Sequence, residues 1–135
     1  MHSIPDTPAH KWKIEKIAYI SFISKTIHTP TMMQDNAIQN TITVQKLDKY
    51  FLVTESARDK VSKLNTDTLR NNPQAKDMFE MIECYISDAH HFRSKGDWVN
   101  AFAALNYAHG WLDTGARLKI FEVEGDNVLF TVDDD

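Results

Sequence analysis

The sequence predicts an all-α domain: an antiparallel three-helix bundle over about 44–64, 73–95 and 98–118, followed by a short tail, extended or a hairpin. Three observations carry this. Apolar residues recur at intervals of three and four through three long stretches, the mark of helices with one buried face. Only Gly96 and Asp97 separate the last two stretches, so the chain must reverse within about two residues and the helices must be antiparallel neighbours. Pro73 stands where a helix can begin without needing its N–H.

Residues 1–40 carry Pro5, Pro8 and Pro30 and read as a leader outside the bundle, with residues 41–135 as the domain. The leader is either poorly ordered or sequence ahead of a true start at Met32–Met33. Its apolar run, IAYISFIS, falls far short of the ~20 residues a membrane span needs and lacks a signal-peptide cleavage site. In the first helix the stripe is Val44, Leu47, Phe51, Thr54, Ala57, Val61 and Leu64, with Thr43 or Thr41 as N-cap. NTDTLRNNP then reads as a loop that Leu69 pins to the core. The second helix carries Met78, Ile82, Tyr85, Ala89 and Phe92 inward, and Cys84 reads as a small buried residue. Gly96 suits the left-handed position that ends many helices, and Asp97 caps the next. That third helix turns Trp98, Phe102, Leu105, Ala108 and Leu112 inward. Gly110 and Gly115 each cost it up to about 1 kcal/mol relative to alanine, so something is expected to approach closely there, at Gly110 above all. KIFEV and VLFTV around EGDN make either a small hairpin or a tail docked by Phe121, Leu129 and Phe130.

Composition excludes several classes. A net charge of −4 over 135 residues opposes nucleic-acid binding by bulk electrostatics. Residues 1–31 hold four lysines against Asp6 and Glu15, which leaves a basic leader as the one nucleic-acid candidate. One cysteine permits no internal disulfide and no Cys-rich zinc site, in keeping with a cytoplasmic protein. The four glycines stand apart, so there is no phosphate loop, and no Gly-x-Ser-x-Gly elbow is present.

YISDAHHFRSKGDWVNAFAALNYAHGWLDTGARL, followed by LFTV, resembles the archaeal family known as domain of unknown function 357. The likeness covers roughly residues 47–132. It rests on Asp88 and Phe92, then Gly96-Asp97, then the run from Asn106 to Asp113. It implies a left-handed three-helix bundle and brings no activity, cofactor or ligand set with it.

The third helix presents a polar stripe of Asn106, His109, Asp113 and Arg117. Asp113 and Arg117 are four apart with the acid first, the favourable order for a helical ion pair; His109 and Asp113 are also four apart, so a carboxylate can favour the charged imidazole. The functional reading is a ligand or acid–base surface; the plainer one is a solvated face with local pairs. Asp88 and His91 have carboxylate–histidine spacing, but a di-iron bundle needs two Glu-x-x-His pairs, so no metal and no cofactor are expected. Tyr85 and Tyr107 fall about eleven residues either side of the turn and should share a layer, within reach of Asp88. The leading expectation is a binding or assembly module whose third helix uses Trp98, Tyr107 and Trp111 for packing or for contact with a protein partner or a second copy, with one exposed aromatic near Trp111. The alternative is a small-ligand binder or enzyme on Asp88, His109 and Asp113, converging within about 8 Å as catalysis requires.

Overall fold

The computed structural model describes residues 37–133, so the readings made for residues 1–36 lie outside it. The described residues form four helices and no strand: α1 Val44–Leu64, α2 Thr66–Asn71, α3 Pro73–Ser94 and α4 Trp98–Arg117.

Each helix end has a local cause. Thr43 caps α1, its hydroxyl accepting from the Lys46 amide at 3.1 Å. Asn72 caps α3 by accepting from the amides of Gln74 and Ala75, with Pro73 just inside. At the far end of α3 the Asp97 amide reaches the Phe92 carbonyl and the Gly96 amide that of Arg93, a Schellman closure with Gly96 at φ +77°. Asp97 then accepts from the Asn100 amide and starts α4. The end of α4 repeats the device, Ile120 to Gly115 and Lys119 to Ala116, but with a non-glycine, Lys119, at φ +58°.

The segment expected to be a loop contains α2. Its turn-favouring Asn and Asp residues also suit helix ends, and Asn65 accepts the Leu69 amide through its carbonyl at 2.8 Å. This helix of six residues is the short path that lets Leu69 pack on the core. Cys84 is exposed, a second correction. It lies two residues from both Ile82 and Ile86, each buried, and at about 100° per residue that places it on the opposite face of α3.

In α1 the buried residues are Leu47, Phe51, Thr54, Ala57 and Val61, while Val44 and Leu64 stay partly in solvent. In α4 the buried line runs through Ala101, Leu105, Ala108 and Leu112, and Trp98 and Phe102 are half-buried. Small residues there let α3 and α4 approach closely. Side-chain pairs between α1 and α3 join Asp48 to Arg93, Glu55 to His90 and Arg58 to Glu83, stepping in opposite senses along the two helices. Partly exposed pairs like these contribute no more than about 1 kcal/mol each; the core holds the helices. That core has two centres. One, around Phe51, Ala101 and Leu105, lies toward the Gly96 turn. The other, around Val61, Ile82 and Leu112, is completed by Phe121, Val123 and Phe130 from beyond α4. Fully burying each phenylalanine stabilises by about 1.5–3 kcal/mol, so the tail is part of the core.

Candidate functional site

Gly115 fixes how the tail leaves α4. A Cβ there would collide with the ring of Phe121, whereas around Gly110 nothing lies within 4 Å. The close approach expected at Gly110 is therefore absent and occurs at Gly115, where the chain folds back over the helix.

From Phe121 the tail crosses to α1. Asn65, almost fully buried, accepts the Glu122 amide at 2.7 Å and donates to the Glu122 carbonyl at 2.8 Å. A side-chain amide thus pairs with a main-chain unit as a neighbouring strand would. A β-turn follows, the Asp126 amide bonding the Val123 carbonyl at 3.1 Å. Asp126 then receives Lys60 Nζ at 2.8 Å and the amides of Val128 and Leu129, each at 2.9 Å. Burial alone would raise the Asp126 carboxyl; the Lys60 bond and the two amides outweigh it and hold the group below its usual value.

The tail then runs along α4 in the helix's own direction, and here the predicted polar stripe is engaged. His109 Nε2 lies 3.0 Å from the Leu129 carbonyl oxygen. A carbonyl only accepts, so Nε2 carries a proton, while Nδ1 lies 3.3 Å from the buried Thr54 hydroxyl. Asp113 accepts from the Thr131 amide at 2.8 Å and from its hydroxyl at 3.2 Å. Arg117 pairs with Asp133 at 3.4 Å. The rungs match 109, 113 and 117 on the helix with 129, 131 and 133 on the tail. Four helical residues rise about 6 Å and two extended residues about 6.6 Å, so the two repeats stay in step.

The remaining predicted residues lie elsewhere. Asn106 is exposed and bonds back to the Phe102 carbonyl on its own helix. Tyr85 and Tyr107 share a layer, ring centroids 4.5 Å apart, and Trp111 continues the row 6.5 Å from Tyr107. Tyr107 is 55% exposed, and Trp111 is half-buried against the core. Asp88 is exposed on α3. With Tyr85 level with Tyr107, Asp88 lies toward the Gly96 turn and Asp113 away from it, roughly 13 Å apart along the helices. His109 and Asp113 come together, 3.7 Å apart; Asp88 does not join Asp113.

Sequence reading missed the Lys60–Asp126 and Asn65–Glu122 tail contacts, and Thr54 as the neighbour of His109. The only signal available was partial: Asp113 and Arg117, four apart on α4, find side-chain partners in Thr131 and Asp133, two apart on the tail, whereas the His109 rung uses a main-chain carbonyl that no sequence marks. Among the described residues no group of three metal-ligating side chains is present, and no helix is long and apolar enough to cross a membrane.

No curated protein and no solved structure matches the chain. The model of a family described as protein of unknown function, DUF357, matches residues 49–121, from early α1 through Phe121. With more than half of its length covered by that match, the chain belongs to the DUF357 family.

Proposed function

We propose that this domain is a cytosolic protein–protein interaction or assembly module, built as a left-handed antiparallel bundle of α1, α3 and α4. The carrying observation is the aromatic row on the α3–α4 face: Tyr107 is more than half exposed between Tyr85 and Trp111. Amphipathic aromatic rings bury much area on association at little entropic cost, which is why they dominate interface energetics. The exposed thiol of Cys84 fits a reducing compartment. Catalysis at His109 and Asp113 draws less support, because the chain's own tail occupies both groups.

Sedimentation equilibrium of the native chain and of Tyr107→Glu tests this. A concentration-dependent mass that the substitution weakens about tenfold or more supports the aromatic face as the contact. A strict monomer up to millimolar chain that also retains no partner through Tyr107 removes the reading.

A further inference from the structure

The tail has two limbs that enter the same core centre, one by Phe121 and Val123, the other by Phe130. Between them lies the turn Val123–Asp126, whose central residues Glu124 and Gly125 have φ of +54° and +64°. Two successive positive φ values make a type I′ turn, which favours Asn, Asp or Gly at its first central position. Glutamate there is strained by its Cβ. Both residues are exposed, so straightening them costs no buried contact. The second limb, residues 126–133, binds helices α1 and α4 through Lys60, His109, Asp113 and Arg117. Each of these contacts survives unchanged when the limb comes from another molecule.

We propose that the groove between α1 and α4 is a docking surface for residues 126–133 of a second copy of this chain, forming a dimer by reciprocal exchange. The groove is already fitted to this occupant. Lys60 meets Asp126 and Arg117 meets Asp133 with opposite charge, and the Phe130 side chain is wholly buried. Opening the turn relieves the left-handed strain at Glu124 in both copies and leaves the groove bonds intact, the condition under which strained hinges favour swapping. This surface is separate from the aromatic face, and its test reads separately.

The test mixes 15N-labelled and unlabelled protein, unfolds and refolds them together at high concentration, and separates monomer from dimer. Carbodiimide then couples the Lys60 amine to the Asp126 carboxylate, forming an amide with loss of water. In an exchanged dimer about half of the Lys60–Asp126 cross-linked peptide pairs one heavy and one light chain, while the monomer gives only like-isotope pairs. Glu124→Gly should lower the dimerisation constant by roughly tenfold or more, since each dimer opens two turns, and Glu124→Val should raise it. A dimer whose cross-links are all like-isotope overturns the exchange and leaves the aromatic face as the contact. Absence of dimer from both the native chain and Glu124→Val overturns it as well.

Discussion

Asn65 illustrates how one buried polar side chain can replace a strand. Its amide satisfies both main-chain groups of Glu122, and a buried unmet donor or acceptor costs about 1–3 kcal/mol. Asn65→Ala should therefore lower stability by about 2–4 kcal/mol, read as a lower urea midpoint. The two glycines of α4 should respond in opposite directions. Gly115→Ala forces a methyl group into the Phe121 ring and should cost about 1–3 kcal/mol. Gly110→Ala meets open space and should stabilise by up to about 1 kcal/mol through helix propensity. Thermal unfolding of the two variants side by side decides it; equal effects would contradict the placement of Phe121.

At the scale of elements, the tail is joined to the helices by a titrating group. Asp126 has its folded pKa below the ordinary value of 3.8, despite burial, because Lys60 and the amides of Leu129 and Val128 favour the carboxylate. A depressed carboxyl pKa contributes stability that is present above the unfolded value and lost as pH falls through the folded one. Unfolding free energy should fall as pH drops below about 4. In Asp126→Asn the fall should be shallower, since the neutral amide does not titrate. Urea titrations from pH 6 down to 2.5 measure this, and identical slopes in the two proteins would remove Asp126 from the linkage. The caps are simpler: Asp97→Ala should cost α4 about 1 kcal/mol.

Taken as a whole molecule, the chain puts its thiol outside. Cys84 should react with a disulfide reagent in the folded state, one thiol per chain and without prior unfolding. Its exposure also shows where sequence reading stopped. The long helices were legible because their periodicity runs for five or six turns, and their ends because Thr43, Pro73, Gly96 and Asp97 act on neighbours in sequence. Cys84 was misplaced because residue type was weighed above angle. Gly115 could not be told from Gly110 because the Phe121 contact depends on how the chain turns at Lys119. The four-residue spacing of His109, Asp113 and Arg117 placed them on one face of α4, but their partners lie sixteen to twenty residues away, on a segment with no period of its own.

The matched rise of helix and tail bears on how such chains can drift over generations. His109 grips a main-chain carbonyl and Asp113 a main-chain amide, groups that every residue except proline supplies in full. The rungs at 129 and 131 persist whatever side chains stand there, so long as an aromatic plug persists at 130 and proline stays out of 131; only the third rung needs a particular side chain, the carboxylate of Asp133. On the helix the same freedom is missing, because there the side chains do the gripping. Among relatives, the tail should lose recognisable likeness well before α4 does, and the family match here ends at residue 121, before the ladder begins.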